Sequence, residues 1–304
     1  MTSALESRVS ATLDAPVTAE VRAAAAMIGQ ETGARAVLFY GSNLRTGSLE
    51  GVLDFYVLLP WRQRERIWPR VSYREWAGTP GPVRAKIAAM SMETFARAAR
   101  GMSRDTTIWA RFVQPSALAW AADEEARAQV VTAIADAACT AGRLAAALGP
   151  PHGTAEDFWR ALFRATYRAE LRVEKQGRED SILAADPGHF SGLLPLAWSA
   201  AGIAFEQDGN EIAPRIPPAE RRRVLAWWNG RARLGKPLNV LRLLKASTTF
   251  DGAAGYAAWK IERHTGIPVP LTPWRERHPV LAAPGVLLRL WRARRKAARR
   301  SDHM

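Results

Sequence analysis

The chain has 304 residues, of which 48% are hydrophobic, enough for one large core or two smaller ones, which excludes a disordered chain. A single cysteine, Cys139, excludes a disulfide framework and a cysteine-built metal site, and its Ala-rich surroundings read as core. The formal charge of +14 favours an anionic partner such as a nucleic acid, an acidic lipid surface or a phosphorylated substrate.

Residues 1–16 are polar, with Glu6 and Asp14, so no signal peptide is expected. No apolar run is read as reaching membrane-spanning length; the best, 192–205, is broken by Pro195 and Ser199. A helix is predicted over 18–30, closed by Gly33, followed by strands over 35–40 and 52–59. A loop-rich charged stretch, 61–82, leads to a strand over 83–90 and a helix that Ser91 caps. A fourth strand is predicted over 117–121 and an Ala-rich helix over 124–148.

Gly149-Pro150-Pro151-His152-Gly153 marks a domain boundary, beyond which the pattern is almost purely helical. Thr154 and Asp157 form a capping box opening a helix, and further helices are predicted near 190–205, 218–233, 238–248, 253–265 and 284–299. The expected class is therefore α+β: a head with a mixed sheet (1–149), a mainly helical domain (150–283) and a basic amphipathic tail (284–304).

The chemistry concentrates in Tyr40-Gly41-Ser42 and Leu53-Asp54-Phe55. A glycine at the end of a strand lets backbone N–H groups and the Ser42 hydroxyl approach a phosphate. Asp54 interrupts an apolar strand, and a buried carboxylate needs a metal, a cation or hydrogen bonds. Two readings stand for it: a ligand for Mg²⁺ or another divalent cation, or the partner of an arginine. Strand, Gly-Ser turn and strand aspartate together are the layout of the nucleotidyltransferase fold. The usual second aspartate is replaced by Tyr56, and Glu93 is the nearest candidate to supply another acid, although a helix N-terminus also favours it there.

Lys86 lies in mid-strand, either as a phosphate-neutralising charge or as an edge-strand solubility residue. In the tail, Leu287, Leu290 and Trp291 share one helical side while Arg289, Arg292 and Lys296 share the other. That pattern suits an anionic membrane surface, or a solvated helix docked by its apolar stripe. The five histidines are scattered, and no nucleic-acid recognition module is found.

Taken in order, these segments resemble the mitochondrial-type phosphatidate cytidylyltransferase family, the CDP-diacylglycerol synthases built on a nucleotidyltransferase head. The likeness is carried by Tyr40-Gly41-Ser42, by Leu53-Asp54-Phe55, and by Lys86 leading into Ser91-Met92-Glu93-Thr94. It continues through Ala110-Arg111 to Gln114-Pro115, Glu156-Asp157-Phe158, Glu170-Leu171-Arg172 and Leu244-Lys245 with Ser247-Thr248, spanning 37–260. Asn43-Leu44-Arg45 stands where the family has Gly-Val-aromatic, and Glu170 replaces its aspartate. The family's single aspartate makes Tyr56 a shared trait.

The resemblance implies transfer of CMP from CTP to phosphatidic acid or a related lipid phosphate, with Mg²⁺ or another divalent cation. Tyr40, Gly41, Ser42, Glu170 and Arg172 are the implied nucleotide contacts, Asp54 the metal ligand, and Asp54, Lys86 and Arg111 the catalytic set. Trp291, Arg292, Arg295 and Lys296 are the expected membrane contacts, on a cytoplasmic protein held to the inner face of the membrane. No nucleic-acid partner is expected. The alternatives are transfer onto RNA or a small molecule, and a non-catalytic membrane-associated protein of the same fold.

Overall fold

Strand β2 (Leu53–Leu59) carries buried apolar side chains on both faces, so structure must cover both. In the computed structural model, which describes residues 3–63, 68–77, 81–169, 178–249 and a few isolated positions beyond, β2 is the middle strand of a five-stranded mixed sheet. Its order is β3 (Arg70–Trp76), β4 (Val83–Ser91), β2, β1 (Ala36–Tyr40), β5 (Ser116–Ala121). β2 and β4 run parallel; every other neighbouring pair is antiparallel. On one face Val37, Phe39, Phe55, Val57 and Ile87 pack in the core under α2 (Ala19–Thr32). On the other, Leu38, Tyr56, Leu58, Ala88 and Met90 join a larger core with α4 (Met92–Ala99), α5 (Thr107–Phe112) and α6 (Glu124–Leu148).

α6 is the spine. It packs against α1 (Ala4–Leu13), α4 and α5, and also against α7 (Ala155–Ala169), α9 (Pro187–Ala200) and α10 (Pro218–Thr249). The apolar core is thus continuous across Gly149. Against the expectation that no run reaches membrane-spanning length and that 192–205 comes nearest, α6 has the length and apolar composition to cross a membrane, and most of its apolar stretch is buried within this core. The molecule is mixed α/β, a mixed sheet plus a helical part.

The expected caps form. Ser91 Oγ accepts from Thr94 N at 3.1 Å, and Thr154 and Asp157 exchange bonds of 3.0 and 3.3 Å at the start of α7. Four expectations need correction. α1 occupies part of the stretch read only as polar, and its start is a Ser3/Glu6 capping box. β3 lies inside the segment expected to be loop, because its polar side chains face out at a sheet edge while Tyr73 is buried. The region beyond Gly149 is not purely helical: β7 (Ala204–Asp208) and β8 (Glu211–Arg215) form a hairpin about Gly209-Asn210, where Gly209 takes φ 56°. α10 is one helix across Pro237, where two were expected. The helices expected over 253–265 and 284–299 lie outside the described residues.

Arginines hold α10 on either side of that proline. Arg231 donates to Ser103 O at 3.0 Å and Gly101 O at 2.7 Å and stacks 4.2 Å over Trp227. Arg242 donates to Trp68 O at 3.0 Å and pairs at 2.8 Å with Asp105, a residue only 5% exposed. Because Arg242→Met strands a buried carboxylate, it should destabilise the protein by about 3 kcal/mol, and adding Asp105→Asn should recover part of that. Urea unfolding of the single and double variants measures both.

Candidate functional site

Sheet register assembles the site. Across β3, β4, β2, β1 and β5 the paired residues are Tyr73, Lys86, Asp54, Tyr40 and Ser116, and directly paired residues point to the same face. Asp54 therefore stands between Lys86 and Tyr40 on the face of the larger core. α5 brings in Arg111, whose guanidinium carbon lies 5.3 Å from the Tyr40 ring centroid. Of the sequence-predicted residues, Tyr40, Gly41, Asp54, Lys86 and Arg111 thus come together.

Gly41 follows Tyr40 with φ 93° and ψ −162°, a backbone state that side-chain-bearing residues rarely adopt. A Cβ there would also lie 3.0 Å from Asp54 Oδ2, a tight contact, so conformation favours glycine and the close carboxylate adds to that preference. Ser42, exposed, opens the short helix α3 (Ser42–Thr46), its hydroxyl 3.5 Å from Asn43 Oδ1. Asn43 is buried and donates through Nδ2 to Ser48 O at 2.7 Å and Glu50 O at 2.8 Å, which fixes the loop from the Gly-Ser turn to β2. In the sequence Asn43 stood out only as a departure from the family pattern, with no structural role. Its signal was a short polar side chain directly after the turn.

The electrostatics are those of a carboxylate among cations. Asp54 keeps partial solvent contact, yet desolvation of its carboxyl pushes its pKa above the ordinary range, opposed by the charges of Lys86 and Arg111. Burial pushes the Tyr40 phenol up to about 12, with Arg111 opposing and Asp54 reinforcing. Tyr56 shares the face of Asp54 one step further along the strand, fully buried against Phe95 and Phe112. It is a core aromatic, and its hydroxyl has no hydrogen-bond partner among the described residues.

The donor set tests the expected metal. Among the described residues no three His, Cys, Asp or Glu side chains come together. Glu93 does not supply the second acid: it lies beyond Ser91, which pairs with Leu59, so it is five or more residues along the strands, roughly 16 Å, from the Asp54 row. Among the described residues, one carboxylate between two cations does not make up the oxygen-rich ligand set of a resident Mg²⁺. Glu170, Arg172, Trp291, Arg292, Arg295 and Lys296 lie outside the described residues, as do the side chains of Ser247 and Thr248.

Compared with protein-family models and with curated proteins, the chain matches none.

Two variants probe this electrostatic balance. Asp54 has a raised folded-state pKa, so its contribution to stability is fully present below its ordinary value of 3.8 and is lost as pH rises through the folded value. Asp54→Asn should therefore unfold at a higher temperature than the parent at pH 7, with the gap closing in acid. Tyr56→Phe removes an unpartnered buried hydroxyl and should stabilise by about 1 kcal/mol in urea titrations.

Proposed function

We propose that this protein is a nucleotidyltransferase of the cytidylyltransferase type, moving CMP from CTP to a lipid phosphate and releasing pyrophosphate. The observation that carries this reading is the Gly41 turn closing directly on Asp54 while Lys86 and Arg111 attend the same carboxylate. A strand, a glycine turn and a registered strand aspartate support a nucleotidyltransferase-like head, and the ordered family resemblance supports the lipid acceptor.

In this mechanism Gly41 admits the triphosphate close to backbone, with the exposed Ser42 hydroxyl as a further donor. A phosphate oxygen of the acceptor attacks the α-phosphorus, and the bond to the β-phosphate oxygen breaks as pyrophosphate departs. Lys86 and Arg111 neutralise the charge gathering on the transferring group, an electrostatic rather than covalent contribution. The acceptor phosphate is itself a competent nucleophile, so no strong general base is needed. Asp54 acts as a positioning residue that orients the two cations. Since the described donors do not fit a resident metal, no step is routed through one; a divalent cation enters as the counter-ion of the triphosphate. The setting would be the cytoplasmic face of a membrane, with the basic tail as the contact.

A second reading has its own observation. The described carboxylate set around Asp54 stops at one, which suits a protein that binds nucleotides or phosphates without transferring them.

Labelled CTP with phosphatidate vesicles and Mg²⁺ separates the two. The expected result is labelled lipid, with kcat falling about a hundredfold or more in Arg111→Gln. CTP binding by calorimetry without turnover on any lipid phosphate would replace the first reading with the second. Failure to bind CTP at all would remove the first, and failure to bind CTP, other nucleoside triphosphates and pyrophosphate would remove both.

A further inference from the structure

The sheet has a second basic feature on its opposite face. Arg70, Ser72 and Arg74 alternate along β3 and pair with Ala89, Ile87 and Ala85, which places them on the α2 side, away from Asp54. α2 covers β1, β2 and β5 there. Toward the β3 edge the face opens into a cleft of about 480 Å³ with an apolar floor that includes Leu59, Ile87 and Ala89. Arg62 and Trp61 form another wall, and among the described residues lining the cleft none is a carboxylate. Glu31 reaches Arg74 from outside it.

Cationic side chains on an edge strand commonly serve to discourage strand pairing. That account covers Arg70 and Arg74 but not Arg62, which belongs to a different segment and converges on the same cleft. The segment is also held in place. Gln63 Oε1 accepts from Ser91 N at 2.9 Å, tying it to the start of α4, and the Trp61 ring lies against Gly33, the residue that ends α2. Trp61 nevertheless remains 54% exposed, a large aromatic surface held at the mouth of a basic cleft.

We propose that this cleft binds an organophosphate, with Arg62, Arg70 and Arg74 taking the phosphate and Trp61 with the apolar floor taking the rest of the molecule. The guanidinium groups offer planar donor pairs matched to phosphate oxygens, and the volume is that of a small-molecule site. The arginines of this site are separated from the Gly41 turn by the sheet itself: Arg70 and Arg74 stand on the other face from Asp54, and the cleft runs from the Leu53 row, where Arg74 stands, to Leu59 at the far end of β2. It stands whether or not the Asp54 site transfers nucleotides.

The phosphate could be borne by a soluble molecule or by a lipid headgroup, so the test has two arms on the full chain. Calorimetry measures binding of pyrophosphate and CTP, and co-sedimentation measures binding to phosphatidylcholine vesicles with and without phosphatidate. In at least one arm, Arg62→Glu and the double change Arg70→Gln/Arg74→Gln should each weaken binding tenfold or more, and added salt should weaken binding by the parent chain. Arg62 is exposed, so its change should leave the circular dichroism spectrum and the melting temperature at parental values. Trp61→Ala should weaken CTP more than pyrophosphate if the soluble arm responds. The arm that responds identifies the source of the phosphate. The proposal is overturned if neither arm binds, or if binding survives both cleft variants. It is also overturned if pyrophosphate binding is abolished by Arg111→Gln while ignoring the cleft, which would assign that binding to the Asp54 site.

Discussion

A carboxylate on the packed face of a central strand constrains everything around it. β2 sends Leu53, Phe55 and Val57 toward α2 and Asp54, Tyr56 and Leu58 toward the other helices, so a one-residue slip would drive Asp54 into the α2 core. In the observed register the cost of desolvating Asp54 is offset by Lys86 on one side and Arg111 above Tyr40, though not fully, and the upward pKa is the remainder. Gly41 belongs to the same constraint. The carboxyl lies so close to the turn that a Cβ added at this positive-φ residue would press on it. The registers of β1, β2 and β4 and the identity of the turn residue are therefore parts of one solution to one buried charge.

The placement of Arg111 depends in turn on the helical part. Asp105 stands just before α5, and its carboxylate accepts from Thr107 N at 3.2 Å and Thr107 Oγ1 at 2.6 Å, fixing the start of the helix that carries Arg111. Arg242 of α10 pairs with that same carboxylate, while Arg231 holds the preceding turn at Gly101 and Ser103. Buried pairs of this kind contribute more to a unique arrangement than to net stability, and here the arrangement they select is the position of a cation beside Asp54. Gly235 allows the close approach that makes the clamp possible, since a Cβ there would collide with Ala169 O.

Much of this geometry could be read in the sequence wherever burial was two-sided. β1, β2, β4, β5 and α6 announce themselves as apolar runs because both faces of the sheet, or most of a helix, lie in the core. β3 hid because Tyr73 alone is buried and its neighbours include arginine, serine and glutamate at an edge. The β7–β8 hairpin hid because its strands are largely exposed, leaving Gly209-Asn210 as the legible signal. Pro237 divided α10 in the reading because local propensity sees a lost hydrogen bond and does not see arginines anchoring both sides. In the site, the neighbours Gly41, Asp54 and Lys86 were legible as strand and turn chemistry. Arg111 entered through family resemblance, its meeting with Tyr40 being a tertiary fact that spacing does not encode. Tyr56 was read as a vacant ligand position, whereas the ring is a wall of the aromatic core. The cleft between Arg62 and β3 was invisible because it required the strand that had been missed.

The two basic faces of the sheet differ in a way that bears on what each can hold. At the Gly41 turn the cations already have an anion, Asp54, covalently part of the strand. On the proposed reading a ligand phosphate must share or displace that partner, and adding negative charge near Asp54 favours its protonated form. Such a site discriminates, because only a ligand that compensates the rearrangement gains from entering. The cleft beside β3 has no internal carboxylate among its described lining, and its guanidinium groups sit on separate segments with Glu31 touching one of them from outside. Its arginines come from an edge strand and a separate segment and meet at one cleft, an arrangement suited to holding a phosphate rather than to selecting among reactions. On this sheet part of the +14 excess is gathered at two places, one around Asp54 and one beside β3. Their separation on opposite faces follows from the two-residue alternation of the strands themselves.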